Sequence, residues 1–437
     1  MFLQFSTENF LSFKDKVTFS MVPGPVSEHE DTHIFEYGKF KFLKSAVLYG
    51  ANAGGKSNLF AAMSRMKWLV VNSSKELQAG EALDVEPFKL STETEDQPSL
   101  FEIVFIQNDV LYRYGFVIDN ERVHEEWLFH RPDLSKNREA MLFVRENDGI
   151  SVKPRTAFHE EAKGLERKTR SNALFISVVA NFNGPIATSL LEWMQQFNFL
   201  SGMSNNSMGY TLRLMEDPVY RSKILGFVQA ADFAIDDLKM EKINVDELRL
   251  PTGVEIPKEV MEHLSSAEMI VSFRKKFDGN HAPAGYSVFD VNASESEGTK
   301  KFLSMAGPIL EKLTEGGVLV VDELDAKLHP LLTRKIIDMF HSYDVNTKNA
   351  QLIFATHDVT NLTKELFRRD QVWFAEKDRY GATDLYSLAD YKLDDEETKE
   401  KKDRKVRKDA SYGKDYLLGK YGGIPHIGNL HVFLEEN

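Results

Sequence analysis

The spacing of apolar side chains changes period several times along the chain. Near the start it is close to two: Phe2, Gln4 and Ser6 alternate with Leu3, Phe5 and Thr7, as in a strand with unlike faces. Residues 16–21 predict a second strand after a turn. Residues 44–49 (KSAVLY) form a short apolar strand that stops at Gly50. Over residues 57–71 the period lengthens, and Leu59, Met63, Met66, Leu69 and Val70 fall on one side of a helix. Residues 85–155 return to strand-like spacing, with strands predicted over 100–106, 110–118, 126–130 and 141–145. Turn pairs such as Asn108-Asp109 and Asp119-Asn120 separate them.

Residues 156–265 predict mainly helical and irregular structure, followed by strands over 269–275 and 285–292. The last third alternates: helix 298–313, strand 317–322, helix 330–342, strand 350–356, helix 360–367, strand 371–376. That rhythm is the mark of an α/β fold, a parallel sheet covered by helices. The chain divides into an N-terminal lobe (1–155), a mostly helical insertion (156–280), a C-terminal lobe (281–390) and a charged segment with tail (391–437).

Composition narrows the picture in three ways. The net charge is −13, which argues against a surface given over to nucleic acid. There are no cysteines, so disulfides and thiolate metal sites are excluded, and a reducing cytoplasm is the expected setting. No run of about 18 apolar residues suggests a membrane span, and the first residues lack the pattern of a secretory signal.

Four short segments carry chemistry. Gly50-Ala51-Asn52-Ala53-Gly54-Gly55-Lys56-Ser57, followed by Asn58, matches G-x-x-x-x-G-K-[ST] between an apolar strand and an amphipathic helix. Glycines let successive backbone N–H groups face a phosphate, and the helix start adds partial positive charge. Lys56 then reaches the β- and γ-phosphates, and Ser57 offers a hydroxyl to Mg²⁺. A second apolar strand ends in Asp322-Glu323, with Asp322 expected to hold the metal and Glu323 to polarise the attacking water. The third ends in Thr356-His357, where the imidazole can touch the γ-phosphate. The fourth, Ser296-Glu297-Gly298-Thr299, opens a helix; it suits an anion site, and equally an ordinary cap.

The order of these segments resembles the ABC ATPase class, in its soluble branch with RecF, the SMC proteins and the overcoming-lysogenization-defect nucleases. The resemblance implies an ABC-type P-loop head with a β-rich N-terminal arm, working on ATP and Mg²⁺ as a head-to-head dimer. It implies that Ser296, Gly298 and Thr299 form the signature that contacts ATP of the other subunit, and that Leu324-Asp325 is the loop crossing the dimer interface. Asn9-Phe10-Leu11-Ser12-Phe13 is similar to the segment that lies near the nucleotide in this branch. The glutamine that touches the metal in this class is left open among Gln78, Gln97, Gln107 and others.

More narrowly, ENFLSFKD, GANAGGKSN, SEGTKKF, VVDELDAKLHP, ATHD, RRDQVWF and KYGGIP resemble the RloA/AbiL-type ATPases of phage-defence operons. This implies a sensor or regulatory ATPase; since no spaced acidic cluster suited to two metals stands out after His357, the effector activity, a nuclease or toxin, is expected on a separate protein. The competing reading is a DNA-clamping repair or chromosome-maintenance ATPase, which the lack of long heptad arms disfavours. Asp394-Asp395-Glu396-Glu397 reads as a solvated run rather than a metal site. Residues 399–408 (KEKKDRKVRK) read as a solvated basic stretch or a docking site for nucleic acid or an acidic partner. Residues 416–427 are expected to pack back on the core or meet a partner.

Overall fold

A computed structural model describes residues 1–146, 149–231, 233–242, 268–391, 406, 407 and 410–425. The acidic run 394–397 lies outside the described residues, as does all of the basic stretch except Val406 and Arg407, and the tail beyond 425. Eighteen strands in four sheets organise the described part. The strands are β1 (Phe2–Glu8), β2 (Val17–Ser20), β3 (Ile34–Tyr37), β4 (Phe40–Leu43), β5 (Ser45–Tyr49), β6 (Ser99–Gln107), β7 (Val110–Ile118), β8 (Val123–Arg131) and β9 (Ala140–Glu146). They continue with β10 (Gly149–Val152), β11 (Phe197–Ser201), β12 (Asp237–Lys242), β13 (Glu268–Phe277), β14 (Pro283–Asp290), β15 (Val318–Asp322), β16 (Gln351–Ala355), β17 (Val372–Lys377) and β18 (Thr383–Ser387).

The central sheet runs β11-β15-β16-β5-β17-β18. Its first five strands are parallel and β18 returns antiparallel. Strands β5, β16 and four residues of β15 are wholly buried, because both faces are covered. On one face Ala46, Leu48, Val318, Val320 and Ile353 meet the helix Lys56–Asn72. On the other, Val47, Leu319, Val321, Leu352 and Phe354 meet the helices Glu297–Glu315 and Pro330–His341. The α/β fold expected from the alternation of helix and strand is the one observed.

The β-rich arm is a seven-stranded sheet of order β10-β9-β8-β7-β6-β1-β2. Its β6–β7 turn places Asn108 and Asp109 at φ 49° and 62°, the left-handed pair that matches hairpin twist. The arm's strands lie against the far side of the helix Lys56–Asn72, so that helix is the filling between two sheets. Buried Gln351 ties the layers: it accepts from Phe2 N at 2.8 Å and donates to the carbonyls of Phe2 and Leu43 at 3.1 and 3.2 Å.

Two expectations need adjusting. The 156–280 stretch holds its helices and the strand expected over 269–275, seen as β13, but it also supplies β11, the edge strand of the central sheet, and β12 beside β13 in a three-stranded sheet. Helix 360–367 does not form; a short 3-10 turn, Val359–Asn361, stands at its start. Leu362, Leu366 and Phe367 are buried at a spacing that suggests a helix. Side chains divert the backbone instead. Asp358 accepts from Thr360 N at 2.8 Å, and Asn361 Nδ2 donates to Asp358 and to Pro330 O. No helix among the described residues is long and apolar enough to cross a membrane.

At the edge of the sheet away from the phosphate loop, three histidines stack. His33 lies 4.6 Å from His29 and 3.7 Å from His341 between ring centres. His33 Nε2 donates to Leu366 O at 2.9 Å, so Nδ1 accepts from the Thr32 hydroxyl at 2.7 Å. Burial pushes the His33 pKa down to about 4, with His29, Arg368 and Lys44 adding to the effect; the His341 pKa is likewise lowered, by burial and by His33. Between about pH 6.5 and 4 the unfolded chain therefore binds more protons than the folded one, and stability falls as pH falls. The His33 share is about 3 kcal/mol at 1.36 kcal/mol per unit. Denaturant melts at pH 7 and pH 4.5 should show this loss, and His33→Gln, which keeps a donor for Leu366 O, should shrink it; an unchanged difference would refute the assignment.

Candidate nucleotide site

The site grows from the C-terminal edge of the central sheet, where parallel strands leave their ends open to ligands. Strand β5 ends at Tyr49, and the chain then passes so close to β17 that a side chain on Gly50 would meet Ala375 O at 2.4 Å. At Gly55 the backbone is left-handed (φ 108°), and a Cβ would lie 2.4 Å from the Thr383 hydroxyl. Between them Gly54 N closes the turn onto Ala51 O at 2.9 Å. The helix Lys56–Asn72 begins immediately after.

Lys56 is buried, and its ammonium donates to the loop's own carbonyls, Gly50 O at 2.8 Å and Ala51 O at 3.1 Å. Burial lowers its pKa, while Asp322, Glu323 and Asp325 oppose the shift. A buried ammonium held only by carbonyls is under-compensated, so an anion in the cleft would be a better partner.

The segment Asn9–Phe13 braces the loop from outside. Ser12 Oγ accepts from Asn58 Nδ2 at 2.7 Å and lies 2.8 Å from the Thr383 hydroxyl, which itself sits 3.1 Å from Gly54 O. Asn9 turns the other way: its amide donates to Thr94 O and Gln97 O and accepts from Phe88 N. Two left-handed residues, Asn9 and Leu11, make this double reach geometrically feasible.

Strand β15 delivers the acids. Asp322 ends the strand, and its Oδ1 is buried with no hydrogen-bond partner. Glu323 adopts φ 54°, a left-handed conformation that costs a non-glycine residue about 1–2 kcal/mol. It is held there by its surroundings. Leu324 N donates to Ala355 O at 3.0 Å, and Gly202 N donates to Asp322 O at 2.6 Å. Gly202 must lack a side chain, since a Cβ would fall 1.8 Å from Glu323 O. Asp325 follows, with one oxygen unpartnered and the other accepting from His357 N at 3.4 Å. Burial and the neighbouring Lys56 lower the His357 pKa against the pull of Asp325, Glu323 and Asp322. Its imidazole is therefore neutral near pH 7.

These groups surround a cleft of about 680 Å³ lined by Asn52, Gly54, Gly55, Lys56, Ser57, Asn58, Asp322, Glu323 and His357, with Ala53 and Lys377. Gly50 lines an adjoining cleft that shares His357 and Lys377 with the first. Ser296, Gly298 and Thr299 line neither. Ser296 caps its own helix, accepting from Thr299 N at 3.1 Å, and a Cβ on Gly298 would meet Lys327 O at 2.6 Å. None of Gln78, Gln97 and Gln107 lines the cleft. The sequence reading missed Lys377, Thr383 and Gly202. Lys377 had a usable signal, a cation ending an apolar strand of the same sheet. The other two are set by packing between segments far apart in sequence.

A strand, a phosphate-binding loop and a helix, joined by paired acids at the end of another parallel strand of the same sheet, define a P-loop ATPase of the α/β class. The chain belongs to the family described as "AAA domain, putative AbiEii toxin, Type IV TA system", whose model matches residues 45–363. No curated protein matches the chain. Among solved structures, the SMC head domain from Thermotoga maritima aligns at 11% identity and a TM-score of 0.40, covering 88% of this chain and 98% of that one. CbiO1 from Clostridium perfringens, part of the ABC transporter complex cbiONQ, aligns at 10% identity and a TM-score of 0.30, covering 88% of each chain.

The contact between Gly202 and Glu323 gives a direct test. Gly202→Ala should displace the Glu323 backbone and cut ATP turnover by about tenfold or more, while a fluorescent nucleotide still binds within about twofold of the parent. Unaltered turnover would mean that the geometry at Glu323 does not matter.

Proposed function

We propose that the chain hydrolyses ATP as a head-to-head dimer that forms only with the triphosphate in place. In this reading it is the regulatory subunit of an anti-phage defence system whose effector, a nuclease or toxin, is a separate chain. The observation that carries the dimer is the division of the site. One cleft gathers the phosphate loop, both acids and His357, while the Ser296–Thr299 cap stands outside it. A helix start of that kind is suited to close over phosphates bound by a second copy.

The residues also fit a magnesium ion, because Asp322 Oδ1 is buried and unpartnered beside a cleft that Ser57 lines. Ser57 and Asp322 would hold the ion, which would offset charge on the β- and γ-phosphates. The chain's own groups do the rest. Lys56 exchanges two carbonyls for phosphate oxygens, and the glycine backbone turns its N–H groups to the same anion. Glu323 orients a water for in-line attack, and neutral His357 offers a hydrogen bond at the γ-position. Losing the γ-phosphate removes what the partner's cap contacts, and the dimer loosens.

The defence setting draws support from the family's description as part of a toxin–antitoxin system. It also draws on the resemblance to RloA/AbiL-type ATPases across the motif blocks.

Glu323→Gln should bind ATP normally, slow turnover about a hundredfold or more, and accumulate as an ATP-dependent dimer in light scattering. Lys56→Ala should lose nucleotide binding and remain monomeric. Normal turnover by Glu323→Gln would remove that residue from the chemistry, and a monomer with bound ATP would remove the dimer.

A further inference from the structure

The turn that carries Ser296 is fastened on both sides, and the fastenings lead to different parts of the molecule. On one side Gly298 packs on Lys327 O and Glu297 pairs with the Lys327 ammonium at 2.9 Å. Lys327 belongs to the loop that leaves Asp322 and Glu323. On the other side Glu295, the residue just before Ser296, turns inward until its side chain is only 4% exposed. Arg274 Nη2 lies 2.7 and 2.6 Å from its two oxygens, and the Ser272 hydroxyl donates to Oε1 at 2.9 Å. Ser272 and Arg274 lie on β13, and Phe289 of β14 stands beside the guanidinium, 5.7 Å from its ring centre.

Capping the helix needs none of this. Ser296 already satisfies Thr299 N through its own hydroxyl. Nor is stability a sufficient reason, since desolvation offsets much of the attraction in a buried ion pair. What such a pair does supply is direction: the carboxylate has few other places to go, so the backbone at residue 295 is fixed relative to β13.

We propose that Arg274 and Glu295 are positioning residues for the Ser296–Thr299 turn. They orient it for closure over a second protomer's phosphates, and they make the three-stranded sheet β12-β13-β14 the lever through which that orientation changes. The proposal rests on the trans-acting role given to this turn above. Both act through the turn: the Glu295 carboxylate is taken up by Arg274 and the Ser272 hydroxyl rather than turned toward a phosphate. The path is continuous in both directions: β13 to Arg274 to Glu295 to Ser296, and Gly298 through Lys327 to the strand end at Asp322. Movement of the sheet therefore reaches the turn without passing through the phosphate loop.

The test uses the full chain, in the native background and with Glu323→Gln. Arg274→Ala should lower kcat by about tenfold or more and abolish the ATP-dependent dimer of the Glu323→Gln protein. Binding of a fluorescent ATP analogue to the monomer should stay within about twofold, because the cleft is untouched. Exchanging the pair, Arg274→Glu with Glu295→Arg, should restore part of the dimer. If Arg274→Ala unfolds, Arg274→Lys carries the test, with about a threefold loss in kcat expected for a cation of different shape. Normal dimerisation and turnover by the arginine variants would overturn the proposal, as would a loss that tracks weakened analogue binding. If Glu323→Gln itself fails to dimerise with ATP, the trans-acting reading falls first and this one with it.

Discussion

Backbone-to-backbone contact between the phosphate loop and the β17–β18 hairpin sets the conditions for everything else at the site. A Cβ at Gly50 or Gly54 would strike Ala375 O, and one at Gly55 would strike Thr383. Without side chains the loop can sink onto the hairpin and hold its curl against a rigid wall. Ser12 bonds both to Thr383 of that wall and to Asn58 of the following helix, and so ties the two together. The lysine is thereby buried where its charge is poorly satisfied by carbonyls. The energy that an incoming anion releases there comes from strain in solvation that packing has already imposed.

A similar economy governs the acids. Strand β15 is so thoroughly buried that its last residues have little choice of path, and Gly202 at the end of β11 fits under Glu323 with no room for a methyl group. The left-handed backbone at Glu323 is held by this neighbour and by the bond from Leu324 N to Ala355 O. Three adjacent parallel strands thus cooperate in aiming one carboxylate. The direction that the Glu323 carboxylate takes is a property of the sheet as much as of the residue.

Much of this was legible in the sequence, for identifiable reasons. The phosphate loop, Asp322-Glu323 and His357 each sit at the end of a short apolar strand, and strands of that kind announce themselves by composition. The hairpins of the arm were readable from alternation and from Asn108-Asp109. The helix expected over 360–367 was misleading, because buried leucines at helical spacing also suit an irregular chain steered by Asp358 and Asn361. Strand β11 was missed because five residues following a helix carry too little periodicity. Thr383 and Gly202 owe their roles to contacts between segments more than a hundred residues apart, and no local pattern records them. The placement of the Ser296 cap outside the cleft is likewise a fact of three dimensions.

The hairpin that shapes the phosphate loop is far from it along the chain. Thr383 and Gly54 are separated by 329 residues, so a ribosome adding 5–20 residues per second needs roughly 15 to 65 s to supply the second half of the site after the first. During that interval the loop emerges without the wall that curls it. The nascent chain therefore has no completed triphosphate site until β17 and β18 are made, and a truncated product lacking them would lack a functional one.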